Sequence, residues 1–185
     1  MVWMVLGVAL AGGGVEPAAP PSYRAWSDER GVARAELIAE VPVAANRLWP
    51  ALSNYASQHT WVPYMRTSSV RRTGPLGALC VGETDLPWPL VDRTWSVWMS
   101  NSVAGEPGAK SYTAAWNYVP ESGNIRQTSG SWVLRERGAA STQVRLTASV
   151  DLGRPVPPAL LRWAERRALP DLLNALLARV APMEP

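Results

Sequence analysis

Residues 142–180 read TQVRLTASVDLGRPVPPALLRWAERRALPDLLNALLARV, and the hydrophobic period changes partway along them. Val144, Leu146, Ala148 and Val150 alternate with Arg145, Thr147 and Ser149, a period of two that predicts a half-buried strand. Past the prolines, Leu161, Ala164, Ala168, Leu172 and Leu176 recur at helical spacing, while Arg162, Glu165, Arg166 and Asp171 fall largely elsewhere. Prolines are tolerated in a first helical turn. The segment therefore predicts a strand feeding a long amphipathic helix, with a kink where Pro170 interrupts it.

Upstream, the strand period recurs. Residues 124–136 (NIRQTSGSWVLRE) pair with the 142–151 strand across RGAAS, and further strands are expected over 65–72, 78–86, 92–101 and 110–117. TGPLG and AGEPGA punctuate them as turns. Strands that follow one another by short turns form an antiparallel sheet. Residues 32–41 add another strand, with Ala33, Ala35, Leu37, Ala39 and Val41 on one face and Arg34, Glu36 and Glu40 on the other. PVAANRLWPALSNYAS, over 42–57, is expected to be helical but broken near Trp49, because the residue before Pro50 avoids helical angles. WVPYM then makes a turn. A twisted sheet and a straight helix bury each other's apolar faces but cannot touch everywhere, so a space is expected between them. The expected class is α+β: a curved antiparallel β-sheet gripping a long C-terminal α-helix, with an apolar cavity between.

Composition sets bounds. The chain has 185 residues, 47% apolar and 18% charged, which suits one folded domain. A net charge of +3 with no basic block excludes a nucleic-acid surface of the usual kind. Arg71-Arg72 and Arg166-Arg167 are solvated faces. One cysteine, Cys80, and one histidine, His59, exclude an internal disulfide, a thiolate metal cluster and a histidine-based triad or zinc site. No cofactor or metal is implied. At the N-terminus, MVWMVLGVALA is well short of the roughly 20 residues that cross a bilayer. It ends in the small-x-small pattern Ala9-Leu10-Ala11, followed by glycines and PAAPP. That pattern predicts a secretory signal and linker over 1–25, a monomeric domain over 26–185, and export to the periplasm or beyond.

Residues 85–99, DLPWPLVDRTWSVWM, hold three tryptophans. In a strand, Arg93, Trp95, Val97 and Met99 share one face. Aromatic and thioether groups offer large apolar area at low ordering cost, which suits an apolar ligand of variable shape. Ordinary core packing remains the other explanation for any one of them. Trp88 either caps the cavity mouth or staples the PWP turn. Arg93 is expected to be structural, paired with a carboxylate or carbonyl. Trp116, Trp132, Leu146, Leu161 and Leu172 are further candidates for the cavity wall.

The order of strand, broken helix, six-stranded run and long final helix resembles the START-type lipid-transfer domains of the helix-grip superfamily. That superfamily also contains polyketide cyclases and pathogenesis-related plant proteins. EVPVAANRLWPALSNYASQHTWVPYM is similar to their early helix and Trp-x-Pro turn. DLPWPLVDRTWSVW resembles the segment that carries Pro, then Arg-Asp, then an aromatic, although here Thr94 follows Arg93. IRQTSGSWVL and VDLGRPVPPALL resemble the late hairpin and the start of the final helix. Steroid-binding members carry an acidic and a basic residue in the cavity, at positions that fall near Cys80 and Met99, so the resemblance implies a more apolar pocket here. Cys80 is accordingly a cavity candidate, or simply a small buried hydrophobe. The function implied is binding of a lipid or other hydrophobic small molecule, for sequestration or transfer, with transient membrane contact. The alternatives are a polyketide cyclase-like enzyme, with Glu83 or Asp85 as base although both fall on the outward phase, and a scaffold that acts through its surface.

Overall fold

A computed structural model describes residues 20–75, 77–86 and 91–181. Eight strands form one antiparallel sheet: β1 (Ser22–Ser27), β2 (Ala33–Val41), β3 (Met65–Gly74), β4 (Gly77–Thr84), β5 (Arg93–Ala104), β6 (Ser111–Tyr118), β7 (Gln127–Glu136) and β8 (Thr142–Asp151). Their spatial order is β1-β2-β8-β7-β6-β5-β4-β3. A run of hairpins builds β3 to β8, and β2 then closes onto β8 in register from Ala33↔Val150 to Val41↔Thr142. The curved sheet holds a C-terminal helical segment, the helix-grip architecture.

β1 begins inside the stretch expected to be linker, with Ser22–Ala25 falling before the expected domain start. SYRAWS places Tyr23 and Ala25 inward and pairs with β2, Ala25 opposite Ala35. The alternation is there, but the polar outward residues and the preceding prolines hide it.

The first helix, α1 (Ala45–Ser53), runs through Pro50 rather than breaking near Trp49. Pro50 withholds one N–H, from the carbonyl of Asn46 four residues earlier. Both residues lie on the exposed face, so the freed carbonyl is not shut away from solvent. The break falls at Asn54, which leaves helical geometry and is followed by a 3₁₀ turn over Tyr55–Thr60.

The final helix is one of three parts: α2 (Pro158–Trp163), a π turn (Ala164–Ala168) and α3 (Leu169–Val180). Pro170 has no N–H, and the chain widens ahead of it, Leu169 N–H reaching back five residues to Ala164 O. Its apolar surface divides in two. Leu173, Leu176 and Leu177 fill the core with Leu37, Val41, Leu48, Leu52, Leu134 and Val144. Each such leucine, fully buried, contributes roughly 1.5–3 kcal/mol. Leu161 and Leu172 face the open space instead, and Leu169, buried in the core, also borders it.

Candidate functional site

Between the sheet and the C-terminal helices lies a cavity of about 430 Å³, within the roughly 300–1,000 Å³ of ordinary small-molecule sites. One wall is built by a device used twice. Trp95 on β5 stands opposite Gly82 on β4, and Trp116 on β6 stands opposite Gly130 on β7. A Cβ on Gly82 would come within 2.5 Å of the Trp95 ring, and one on Gly130 within 2.3 Å of the Trp116 ring. Each indole thus lies across a glycine of the neighbouring strand, where no side chain competes for the space. Each ring is then pinned by a threonine two residues along that strand: Trp95 Nε1 donates to Thr84 Oγ1 at 3.0 Å, and Trp116 Nε1 to Thr128 Oγ1 at 3.2 Å. The two rings are fixed, their polar atoms satisfied, and their apolar surface is left to the cavity.

The predicted wall residues Trp95, Val97, Met99, Trp116, Trp132, Leu146, Leu161 and Leu172 all line this space. Cys80 does not. It is 2% exposed, packed with Tyr55, Ala78, Val97 and Met99 in a second apolar cluster, and burial pushes its thiol up to about 11. Its inward phase was legible, but not the cover that Tyr55 provides. Trp88 lies outside the described residues. Residues not anticipated from the sequence close the other sides: Trp61 and Val62 from the turn before β3, Met65 at the start of β3, Ile125 from the loop before β7, and Val156, Leu160 and Trp163 around α2. The signal available was large apolar groups placed in turns, where a packed core does not require them.

Arg93 also lines the cavity. Its Nη1 donates to the carbonyl of Asn124 at 3.3 Å, a contact of the structural kind expected. Asn124 ties its loop to β5 further, accepting from Thr94 N–H at 3.0 Å and donating to the Asp92 carbonyl at 2.8 Å. The acids near Arg93 are engaged elsewhere. Arg66 gathers Glu83, Asp85 and Asp92 at 2.8–2.9 Å, so neither candidate base lines the cavity. Arg34, the other arginine of the wall, is held by Asp28 at 2.8 and 3.1 Å, and that guanidinium keeps the Asp28 carboxyl below its usual range. His59 is exposed on the 3₁₀ turn.

On the helical side, Tyr64 makes one of the ties that hold the helices to the sheet. Tyr64 has φ of 65°, a left-handed conformation that costs a bulky residue energy. Its ring meets Trp163 edge-on at 4.9 Å, and its hydroxyl donates to Asp171 Oδ2 at 2.7 Å. Burial and the neighbouring carboxylate both raise the Tyr64 hydroxyl, so it stays a donor. One residue thereby ties the β3 turn to both sides of the π turn.

A curved eight-stranded sheet, a divided C-terminal helix and an apolar cavity between them define a helix-grip protein. Residues 41–177 match the sequence profile described as polyketide cyclase / dehydrase and lipid transport, and the chain belongs to that family. No curated protein matches it in sequence. Among solved structures it is similar to a STAR-related lipid transfer protein fragment from Xanthomonas axonopodis, with 18% identity, a TM-score of 0.65, and 87% of this chain and 99% of that one covered. It is also similar to the Zhui aromatase/cyclase of a Streptomyces strain, with 17% identity, a TM-score of 0.61, and 80% and 93% covered. Human StAR-related lipid transfer protein 5 matches with 9% identity, a TM-score of 0.63, and 86% of each chain covered. At such identities the likeness concerns the fold.

Proposed function

We propose that this protein binds one molecule of a lipid or other hydrophobic small compound in the cavity and sequesters or transfers it. The lining carries the proposal: among the described residues it is aromatic, aliphatic and thioether surface, interrupted by Arg34, Gln58, Thr84, Arg93 and Thr128. Removing an apolar ligand from water into such a site gains roughly 25 cal/mol per Å² of area buried. The volume suits a single chain or a compact polycyclic body rather than a two-chain lipid. Family membership and the lipid-transfer relatives support the same function.

The family and the similarity to an aromatase/cyclase also bring forward an enzyme acting on a polyketide-like substrate. General acid–base catalysis needs a titratable group within reach of the reacting atoms. No carboxylate, histidine, cysteine or tyrosine lines the cavity among the described residues, which favours binding. Native mass spectrometry of protein purified from its own host tests this, with one unaltered hydrophobic molecule per chain expected. Turnover of an added aromatic polyketide, with no ligand retained, would place the enzyme ahead.

A further inference from the structure

Among the described residues of the cavity wall, two fully buried polar atoms lack a partner. Trp95 and Trp116 donate to threonines, and Gln58 Nε2 donates to the carbonyl of Leu52 at 3.2 Å. Trp61 Nε1 and Arg93 Nε are buried donors with no acceptor among the described residues. Both residues line the cavity, and both belong to the same end of it. Arg93 pairs with Thr84 and Thr84 with Met65, one row across β5, β4 and β3, and the Trp61–Val62 turn leads into Met65, whose N–H is bonded to Val62 O at 3.3 Å.

Arg93 is the sharper case. Arg34 has its carboxylate partner, whereas the hydrogen bond of Arg93 goes to a neutral carbonyl, and its near acids are drawn to Arg66. A guanidinium is always charged, and a cation at the wall of an apolar cavity needs an anion or several acceptors to offset its lost hydration. Among the described residues Arg93 has one long neutral contact. We infer that the ligand supplies the rest: the cavity takes a single-headed anionic amphiphile, a long-chain carboxylate, with its acid group at Arg93 and Trp61. This rests on the lipid-binding function proposed above and narrows it. A carboxylate lies side-on to a guanidinium edge, and the Trp61 indole N–H is a second donor at the same end. The tail follows Arg93, Trp95, Val97 and Met99, which line the cavity in succession over about 20 Å of strand at ~3.3 Å per residue.

Equilibrium dialysis with dodecanoate and 1-dodecanol, which share a chain and differ in the head, tests the inference in the intact protein. The wild type should bind the carboxylate at least tenfold more tightly. Arg93→Met should abolish that preference, Arg93→Lys should keep part of it, and Trp61→Phe should reduce it. Equal affinity of the wild type for the two compounds overturns the inference without any variant. So does a folded Arg93→Met protein that keeps the preference. If the wild type binds neither compound, the inference falls, while the native mass spectrometry described above decides separately whether another hydrophobic ligand occupies the cavity.

Discussion

Gly130→Ala tests whether the tryptophan wall is held as described. The added methyl would stand 2.3 Å from the carbonyl oxygen of Thr147 and 2.3 Å from Cζ2 of Trp116, where carbon contacts settle at about 3.5–4 Å. The Thr147 oxygen belongs to the β7–β8 pairing and yields little, so the indole must swing away from the sheet. That breaks its bond to Thr128, worth about 1 kcal/mol, and crowds a packed wall at about 1–3 kcal/mol. Restricting the unfolded chain returns about 0.4–1 kcal/mol. The net loss should be about 1–3 kcal/mol in urea unfolding. Ligand affinity should fall as well, because the displaced ring occupies the cavity. Gly74→Ala is the control: nothing lies within 4 Å of its Cβ, and it should change stability by less than about 0.5 kcal/mol. In a double-mutant cycle, Gly130→Ala and Trp116→Ala should couple by at least about 1 kcal/mol, since without the indole half of the clash is gone. A Gly130→Ala protein as stable as the control, with unchanged binding, would refute the account of the wall.

Met99→Glu should remove hydrophobic-ligand binding, because an unpaired charge in an apolar site costs several kcal/mol, while Asp85→Asn and Glu83→Gln retain it; displacement of a fluorescent lipid, after circular dichroism confirms each fold, checks both halves. Leu173→Ala, at a fully buried site on α3, should cost about 2–5 kcal/mol by urea titration. Cys80 should resist iodoacetamide in the native protein near neutral pH and react on unfolding. Because its folded thiol is raised from 9.0 to about 11, the folded state holds its proton where the unfolded state releases it. The Cys80 contribution to stability should therefore be intact below about 9 and lost as pH climbs toward 11, a slope that Cys80→Ala flattens. Expression in the natural host followed by N-terminal sequencing should find the mature chain beginning near Gly12; Met1 retained on most molecules would contradict export.

What the sequence discloses about this protein is mainly its periods. Strands declare themselves by alternation, so the Trp95–Val97–Met99 face and the inward positions of Trp132 and Leu146 were legible before any coordinates. The C-terminal apolar stripe was legible too, but not its division, because helical spacing says which residues lie on one side and not what each one meets there. Pro50 departs from expectation for a related reason: the cost of a missing N–H depends on whether the orphaned carbonyl is open to solvent, and Asn46 lies on the exposed face. Cys80 had the right phase but the wrong surroundings, since the cover of an inner face comes from residues distant in sequence.

The deepest gap concerns why a cavity exists at all. A glycine inside a strand reads as a weakness, and Gly82 and Gly130 show no partner in the linear chain. Only the cross-strand register sets each one opposite a tryptophan. Once there, the indole is laid flat against the sheet and hydrogen-bonded in place, so it cannot fill the space in front of it. On the helical side, Tyr64 ties Trp163 and Asp171 to the β3 turn, one on each side of the π turn that Pro170 calls for. Ordinary core packing would let large side chains collapse into any gap between sheet and helix, because close contact stabilises both. Here the aromatic groups best able to do so are held back, two by glycine–threonine pairs and a third by the edge-on tyrosine. Binding capacity in this fold therefore depends as much on the groups that position the rings as on the rings themselves, and substitutions at Gly82, Thr84, Thr128 and Gly130 should affect affinity through the rings they hold.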